Sequence, residues 1–214
     1  MNFSFFFILI ISYLLGSVNF GIIISKLIHK KDVRDFGSGN AGSTNVYRTF
    51  GAKSGVIVLL GDMAKGIIAV LAARVAIKYF GAADYTLYFS GLLCVLGHMF
   101  PVFFKFKGGK GVATTTGIVL LTEPVVFIAV FIAFFLVALL FKYVSLASII
   151  AAIAYTLGVT ISACIEQPAS EVLIIRVVVS FIISMLIIIS HRENIKRIKN
   201  GTEKRFKFRR SQQK

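Results

Sequence analysis

The sequence predicts an all-α polytopic membrane protein with seven transmembrane helices, one of them short. Two observations carry this prediction: 57% of the 214 residues are hydrophobic with a mean hydropathy of +0.86, and the apolar residues gather into long runs. A third observation sets the orientation, because the lysines and arginines behind the net charge of +15 cluster in a few segments. The bias of these residues toward cytoplasmic loops predicts an outside N-terminus and a cytoplasmic C-terminus.

The chain is expected to form one membrane-embedded domain over residues 1–214, in which residues 191–214 are a basic cytoplasmic tail. Its clustered positive charge favours anionic lipid headgroups over nucleic acid as the partner, because a nucleic-acid surface needs a soluble fold to display it. The first apolar run is too long for the core of a signal peptide and is therefore expected to remain as a span.

Residues 3–27 form the first predicted span. Asn19 is polar within this run, and a hydrogen bond to a neighbouring helix is its expected role. The loop over residues 29–53 is rich in Lys and Arg and is therefore predicted to be cytoplasmic.

Residues 54–80 form the second predicted span, which contains Asp62 and Lys65. These two residues are three positions apart, so they share a helix face and are expected to pair. Two roles remain open for the pair, a structural link between helices and a part in substrate binding.

Residues 85–104 form the third predicted span, and Pro101 is expected to bend or end its helix. His98 should then lie near the cytoplasmic surface. A hydrogen-bonded packing role and a site role are both open for this histidine.

The remaining predicted spans are residues 113–123, 127–141, 145–165 and 172–190. The first of them is only about 16 Å long as a helix, against a hydrocarbon core of about 30 Å. It is nevertheless predicted to cross, because otherwise the strongly basic tail would lie outside. Glu123, Glu166 and Glu171 are then expected on the outer side.

The first loop contains a polar stretch, residues 37–45, that Arg48 follows closely. Glycines let backbone N–H groups turn toward one point, and the hydroxyl and amide side chains add further donors. Such a loop suits an anion with several oxygens, above all a phosphate. The candidate binding residues are Gly37, Ser38, Asn40, Gly42, Thr44, Asn45 and Arg48.

A second glycine-rich segment, residues 105–114, follows the third span and contains three lysines. It lacks the spacing of a Walker A loop, although free N–H groups and ammonium charges can hold phosphate in the same way. The candidate residues are Lys107, Gly108, Gly109, Lys110 and Gly111. Whether Lys107 or Lys110 is the main phosphate ligand stays open.

The tail begins with His191 and Asn194, which share one side of any helix that continues from the last span. Further along, Ile195, Ile198, Phe206 and Phe208 are expected to lie in the plane of the lipid headgroups. The two glycine-rich loops and the start of the tail all fall on the cytoplasmic side, so they are predicted to build one anion-binding site. No cluster of metal ligands is visible, and neither a metal nor a cofactor is predicted.

Four motifs in this order resemble the bacterial membrane glycerol-3-phosphate acyltransferases that use acyl-phosphate as donor. They are GSGNxGxTNxxR at residues 37–48, DxxKG at 62–66, GHxFPxFxxFKGGKGVAT at 97–114 and HRxNIxRxxxGxE at 191–203. The resemblance covers essentially the whole chain. One departure is Ala41-Gly42-Ser43, where many relatives have Pro-Gly-Ala, and this change is conservative.

The resemblance implies transfer of a fatty acyl group from acyl-phosphate to the 1-hydroxyl of sn-glycerol 3-phosphate, giving lysophosphatidate and phosphate at the cytoplasmic face of the bacterial cytoplasmic membrane. It also implies a functional link to the enzyme that makes acyl-phosphate. The residues it assigns to catalysis are Ser38, Arg48, His191 and Asn194. To substrate binding it adds Gly37, Asn40, Gly42, Thr44, Asn45, Asp62, Lys65, His98, Lys107, Gly108, Gly109, Lys110 and Gly111, and it makes Glu203 structural.

Two rival functions fit parts of the sequence. Loops that hold phosphate beside broken helices also serve anion transporters, which typically have inverted repeats and a site near the membrane midplane. No repeat is visible, and the polar motifs cluster at one surface. The other rival is a lipid enzyme that uses acyl-CoA or acyl-carrier protein as the acyl donor.

Overall fold

The fold is helical throughout the described part of the chain. The computed structural model describes residues 3–205, which contain ten α-helices and two short 3-10 turns. The helices are α1 (Phe3–Ser17), α2 (Phe20–His29), α3 (Ser43–Phe50), α4 (Ala52–Phe80), α5 (Thr86–Met99), α6 (Val112–Thr122), α7 (Pro124–Phe141), α8 (Val144–Glu166), α9 (Ser170–Ser190) and α10 (Arg192–Lys199). The 3-10 turns cover Val33–Asp35 and Val102–Phe104. The predicted all-α class is confirmed.

Seven helical stretches among the described residues are candidates for crossing the membrane. Six are long and apolar enough to span it, and α6 is a shorter apolar helix. The six long ones are Phe3–His29, Ala52–Phe80, Thr86–Phe104, Pro124–Phe141, Val144–Glu166 and Ser170–Ser190. Seven transmembrane helices with one short member are therefore confirmed, while their orientation across the membrane stays a prediction. The surface role expected for Phe206 and Phe208 lies outside the described residues.

The first span is broken, which corrects the single helix predicted over residues 3–27. α1 ends at Ser17 and α2 begins at Phe20. At the break, Asn19 Oδ1 accepts a hydrogen bond from Ile22 N at 3.1 Å and caps the start of α2. The hydrogen bond predicted from Asn19 to a neighbouring helix is therefore wrong, because its side chain serves its own chain locally.

The helices form two groups with a cleft between them. In the first group α5 packs on α1 and α4, and α4 also packs on α6; in the second, α8 lies between α7 and α9. The groups meet where α5 contacts α9 and where α6 contacts α7. Residues of α4 and α6 from the first group and of α7 and α8 from the second line the cleft.

Small residues bring the helices of the first group close together. A Cβ added at Gly16 would lie 2.1 Å from the carbonyl oxygen of Cys94, and one at Gly117 would lie 2.1 Å from that of Met63. Close backbone approach of this kind is the usual basis of helix packing in membranes. It fixes α6, and the glycine-rich loop before it, against α4.

The three polar segments predicted to converge do meet at one end of the bundle, here called the loop end (residues 30–51, 100–111 and 191–205). Arg34 Nη1 donates a hydrogen bond to the carbonyl oxygen of Lys107 at 3.3 Å. Arg48 Nη2 donates to the carbonyl oxygen of Lys204 at 3.1 Å. The opposite end, here called the far end, holds the junctions α4–α5, α6–α7 and α8–α9.

An ion cluster around the buried pair Arg176 and Glu123 fastens the far end. Arg176 on α9 donates from Nε to Glu123 Oε1 at 2.6 Å and from Nη1 to Glu166 Oε2 at 2.7 Å. Its Nη2 also donates to Ser162 Oγ at 2.9 Å. Glu123 lies between α6 and α7, and only 4% of it is exposed. One arginine thereby ties together the ends of α6, α7, α8 and α9.

Candidate active site

Asn45 holds the first glycine-rich loop in shape. Its Nδ2 donates to the carbonyl oxygens of Val33, Phe36 and Asn40 at 3.2, 2.9 and 2.9 Å. Its Oδ1 accepts from the backbone N–H of Ser38 at 3.1 Å. The buried amide of Asn45 is thus committed to the loop backbone, and this is the physical reason an Asn occupies that position.

The loop leads into α3, whose N-terminus is open toward an anion. Gly42 is the residue before the helix, and its N–H donates to Asn40 Oδ1 at 2.9 Å. The first N–H groups of a helix lack partners within it, and the helix dipole favours negative charge there. Ser43 and Thr44, which carry two of these groups in α3, line the main cavity.

Arg34 joins the second glycine-rich loop to the first. Its guanidinium is held by Asp32, with Nε–Oδ1 at 3.0 Å and Nη2–Oδ2 at 2.8 Å. Its Nη1 donates to the carbonyl oxygen of Phe104 at 3.0 Å in addition to that of Lys107. Lys105 and Phe106 lie between these two residues with φ of 56° and 57°, a left-handed conformation that costs energy in residues other than glycine. Arg34 therefore stabilises a strained turn just before Lys110.

Within this loop the glycines are required by close packing against His98. A Cβ at Gly109 would lie 2.1 Å from His98 Nε2, and one at Gly108 would lie 2.0 Å from the His98 carbonyl oxygen. The same carbonyl accepts a hydrogen bond from Gly109 N at 3.1 Å. The backbone of the loop thus rests directly on the end of α5, and Lys110 follows in a fixed position.

Lys110 connects the loop to the start of the tail. Its ammonium donates to Asn194 Oδ1, and Asn194 Nδ2 donates to Glu203 Oε1 at 2.8 Å. Glu203 also accepts from Ser145 Oγ at 2.9 Å and from Arg197 Nε at 2.8 Å. This network fixes the side chain of Asn194 in one orientation, with its carbonyl oxygen toward the lysine.

Positive charge exceeds negative charge around this network. Arg48, Lys110 and Arg197 lie within electrostatic reach of the single carboxylate of Glu203. Burial, reinforced by the charges of Arg197 and Arg48, lowers the pKa of Lys110 to about 8. Burial alone would raise the pKa of Glu203, but hydrogen bonds from Arg197, Asn194 and Ser145 outweigh it and hold that pKa below its usual value. The site can therefore accept a further anion.

His191 is neutral and its tautomer is fixed. Burial and the nearby charge of Lys110 lower the pKa of His191 to about 4, so the ring is uncharged at neutral pH. Its Nδ1 lies 2.8 Å from the carbonyl oxygen of Ile187, which can only accept, so Nδ1 carries the proton. Nε2 is then a hydrogen-bond acceptor. A neutral His191 can accept a hydrogen bond from a substrate hydroxyl, but it cannot donate from Nε2 to an oxyanion.

Asp62 and Lys65 form the predicted ion pair, with Nζ and Oδ1 3.0 Å apart. Lys65 Nζ also donates to the carbonyl oxygens of Gly16 and Val18 at 2.8 and 2.9 Å, which satisfies the backbone at the break between α1 and α2. A fourth contact places it 2.9 Å from His98 Nδ1. Lys65 is thus saturated by protein partners, and its place in the fold is that of a structural link.

One cavity of about 370 Å³ runs through the cleft from the loop end. Its polar part is lined by Ser38, Asn40, Gly42, Ser43, Thr44, Asn45, Arg48, Asp62, His98, Lys110, Gly111, Thr115, Thr116, Ser145, Ser148, His191, Asn194 and Glu203. Its apolar part is lined by Leu59, Met63, Val112, Ala113, Val119, Phe127, Val130, Phe131, Phe134, Val144, Ala151, Ala152, Tyr155 and Ile187. A polar, cationic mouth therefore continues into an apolar interior without a break.

The cavity gathers most of the residues predicted from sequence. Ser38, Arg48, His191 and Asn194 all line it, as do Asn40, Gly42, Thr44, Asn45, Asp62, His98, Lys110 and Gly111. Gly37, Lys65, Lys107, Gly108 and Gly109 do not line it. Lys107 is exposed, whereas Lys110 is half-buried at the cavity wall, so the geometry favours Lys110 over Lys107 as the phosphate ligand.

Two contributors were missed by sequence reasoning. They are Arg34, which lies in the first loop among other lysines and arginines, and Ser145, which begins a predicted span. Arg34 lies three residues before Gly37, so its closeness to the polar stretch was a usable signal. Ser145 offered none, because serines are common in membrane helices and its partner Glu203 is distant in sequence.

The fold and the cavity define the class of protein: a polytopic membrane protein in which a cationic mouth opens into an apolar interior, so that one cavity can take an anionic group together with an apolar chain. Residues 6–201 match the model of one protein family, described as glycerol-3-phosphate acyltransferase. The chain belongs to this family, as its four motifs predicted.

Individual relatives agree with this assignment. The chain is 45% identical to glycerol-3-phosphate acyltransferase 2 of Bacillus anthracis over 195 residues, covering 91% of this chain and 95% of the relative. It is 42% identical to glycerol-3-phosphate acyltransferase of Staphylococcus aureus (strain Newman) over 205 residues, covering 94% and 96%.

Two solved structures share the fold. Both are of PlsY (YgiH), an integral membrane glycerol 3-phosphate acyltransferase, one in its glycerol 3-phosphate form and one in its lysophosphatidic acid form. The TM-scores are 0.85 and 0.81 at 45% and 44% identity, and each comparison covers 95% of this chain and 96% of the other. The family favours an acyltransferase over the anion transporter that the sequence left as a rival.

Proposed function

We propose that this protein transfers a fatty acyl group from acyl-phosphate to the 1-hydroxyl of sn-glycerol 3-phosphate, giving 1-acyl-sn-glycerol 3-phosphate (lysophosphatidate) and inorganic phosphate. The observation that carries the proposal is the continuity of the cavity, whose cationic mouth opens directly into an apolar interior. Both substrates carry a phosphate and one carries a long apolar chain, so such a cavity matches their combined chemistry. The relatives named above support the acceptor substrate.

The phosphates are proposed to bind at the mouth. Arg48 and Lys110 supply charge, Ser38 supplies a hydroxyl group, and the start of α3 supplies N–H groups. Gly108 and Gly109 act by letting the loop rest on α5, and Gly111, with φ of 83°, lets the chain turn into α6. Gly37 adopts a φ of 63°, and a Cβ there would lie 2.3 Å from Asn45 Oδ1.

Asp62, Lys65 and His98, which lie within the spans, are proposed to have different roles at the site. Asp62 and His98 contribute to the cavity wall and remain proposed substrate contacts. Lys65 has no place at that wall, so it is proposed to act as a positioning residue that holds Asp62 and His98.

The acceptor hydroxyl is proposed to be oriented by His191 Nε2, the acceptor atom of its fixed tautomer. With a pKa of about 4 the ring is too weak a base to remove the proton at neutral pH. Asn194, held by Glu203 and Lys110, is proposed to orient the substrate beside His191.

The chemical step needs no covalent enzyme intermediate, because acyl-phosphate is already an activated mixed anhydride. The oxygen of the 1-hydroxyl attacks the acyl carbonyl carbon, and the bond from that carbon to the phosphate oxygen breaks. The hydroxyl proton passes to an oxygen of a substrate phosphate, whose second pKa of about 6 suits it to accept a proton. Cations at the mouth stabilise the charge of the departing phosphate.

The site is proposed to lie on the cytoplasmic side of the bacterial cytoplasmic membrane. This follows from the density of Lys and Arg at the loop end and in the tail. The acyl chain can then stay within the bilayer while glycerol 3-phosphate enters from water. The donor would come from a separate enzyme that makes acyl-phosphate.

The test is a comparison of donors with purified protein. Labelled glycerol 3-phosphate is supplied with acyl-phosphate, acyl-CoA or acyl-carrier protein, and the formation of lysophosphatidate is measured. The proposal expects product with acyl-phosphate alone. Product from acyl-CoA or acyl-carrier protein in its place would overturn the assignment of the donor.

A further inference from the structure

The cavity follows one face of α8. Along this helix the lining residues are Val144, Ser145, Ser148, Ala151, Ala152 and Tyr155. They reach about 16 Å from the loop end toward the membrane interior, at a rise of about 1.5 Å per residue. The serine and alanine side chains are small and leave room for a ligand, whereas Tyr155 is large and 5% exposed. The α8 wall of the cavity thus changes from small to bulky side chains at the depth of Tyr155.

Tyr155 is the last residue of α8 that lines the cavity. A Cβ added at Gly158 would lie 2.7 Å from Val126 Cγ1, so α7 and α8 are in direct contact one turn further along. Val126 is 5% exposed, although most of α7 faces outward. α7 and α8 pack against each other alongside the cavity, and the Gly158–Val126 contact continues this packing beyond Tyr155.

Beyond the apolar residues packed around Tyr155 lies the ion cluster of the far end. Tyr155 lies within electrostatic reach of Glu123 and Arg176, the ion pair that fastens the far end. A hydrocarbon chain pushed past the tyrosine would have to displace a buried ion cluster from its hydrogen-bonding partners, which is costly. The packing of α7 on α8 and the ion cluster at the far end therefore both oppose extension of the cavity beyond Tyr155.

We propose that Tyr155 is the floor of the acyl-chain pocket and sets the longest acyl chain that the enzyme uses efficiently. This inference rests on the acyl donor proposed above and names its specificity determinant. A chain that fits ends against the tyrosine ring with every methylene inside the apolar cavity. A longer chain leaves methylenes outside the cavity or forces α7 away from α8. Each misplaced methylene lowers kcat/KM by about tenfold.

Two substitutions on α8 should move the preferred chain length in opposite directions. Tyr155→Leu shortens the floor side chain and is expected to raise kcat/KM for longer acyl-phosphates relative to the wild-type optimum by about tenfold. Ala151→Leu narrows the cavity nearer its mouth and is expected to shift the optimum to shorter acyl-phosphates. The measurement is kcat/KM for a homologous series of acyl-phosphates with purified protein.

Leu157→Ala is the matched control, because Leu157 lies on α8, is 58% exposed and does not line the cavity. Its length profile should equal that of the wild type. Unchanged optima in both Tyr155→Leu and Ala151→Leu, or a shift equal to that of the control, would refute the floor. Wild-type protein that fails to use any acyl-phosphate would instead refute the proposed donor, so the two failures can be told apart.

A second measurement uses wild-type protein and does not depend on the folding of a variant. An acyl-phosphate of the preferred length carries a photoreactive group at its terminal carbon, and the labelled residues are identified after illumination. Labelling of Tyr155, Val119 or Phe127 is expected, because these residues line the inner part of the cavity. Labelling confined to Leu59 and Phe131, which line the cavity but are 39% and 54% exposed, would mean that the chain leaves sideways and would overturn the proposal.

Discussion

The charge clusters at the two ends of the bundle have opposite imbalances of cations and carboxylates. At the loop end Arg48, Lys110 and Arg197 surround one carboxylate, that of Glu203. At the far end one arginine, Arg176, lies between two carboxylates. The first arrangement has positive charge to spare and lies beside the mouth of the main cavity, whereas the second is saturated by its own partners. A cluster of charges can take up a further ion only when its own partners leave it unbalanced, which here favours the loop end as the candidate site.

Breaking the far-end cluster is expected to have the largest effect, and on stability. Arg176→Met leaves Glu123 buried without its partner, so the free energy of unfolding should fall by about 3–5 kcal/mol. Thermal unfolding in detergent measures this loss. Adding Glu123→Gln should recover part of it, because the uncompensated charge is removed. Equal stability of the wild type and Arg176→Met would show that the cluster is not structural.

Arg48→Ala addresses the loop end and should leave the fold intact. Removing a cation that stabilises transferred charge typically lowers the rate by about a hundredfold to a thousandfold, so acyl transfer should nearly vanish. Initial rates and thermal unfolding in detergent are measured together. Arg192→Ala is the control, because that arginine is exposed and does not line the cavity. Normal turnover in Arg48→Ala would refute its role.

The pKa of Lys110 predicts a pH dependence of intermediate size. The ammonium is charged below about pH 8 and neutral above it, so kcat/KM for glycerol 3-phosphate should fall by about tenfold per pH unit as pH rises beyond 8. In Lys110→Arg the charge persists, because a guanidinium does not lose its proton in this range. The alkaline fall should therefore disappear in that variant. A fall that persists would assign it to another group.

Arg34→Ala is expected to have the smallest effect of the four changes. Loss of its hydrogen bonds to Phe104 and Lys107 frees the strained turn before Lys110, which should raise KM for glycerol 3-phosphate by about tenfold with little change in kcat. Arg34→Lys keeps the charge but not the forked geometry and should rescue only part of the loss. A fall in kcat alone would argue against a positioning role.

The class of fold could be predicted because it depends on signals that are local in sequence. Long apolar runs report membrane spans directly, and the charge bias was strong enough to require that α6 cross despite its length. The break at Asn19 could not be predicted. The lysine that satisfies the opened backbone is on another helix, and an asparagine within an apolar run looks the same whether it caps a helix or bridges two.

In the candidate site, too, some features could be predicted from the sequence and others required the tertiary structure. Ser38, Arg48, Lys110, His191 and Asn194 stand in polar segments whose composition marks them as unusual in an apolar chain. The choice of Lys110 over Lys107 required the tertiary structure, because the two lysines have similar neighbours in sequence and differ only in which one reaches the cavity. The tautomer of His191 required it too, because a backbone carbonyl one turn earlier decides it.

The sequence by itself determined the membrane class, the number of spans, the family and the segments proposed to bind phosphate, because hydrophobicity, charge bias and loop composition are properties of contiguous residues. Only the tertiary structure decided which charges are satisfied and where the cavity ends. Arg176 and Arg48 are both arginines in a membrane protein, and their partners arrive from distant helices or loops. Contacts between segments far apart in the chain are set by packing, and packing distinguishes a saturated cluster from a binding site.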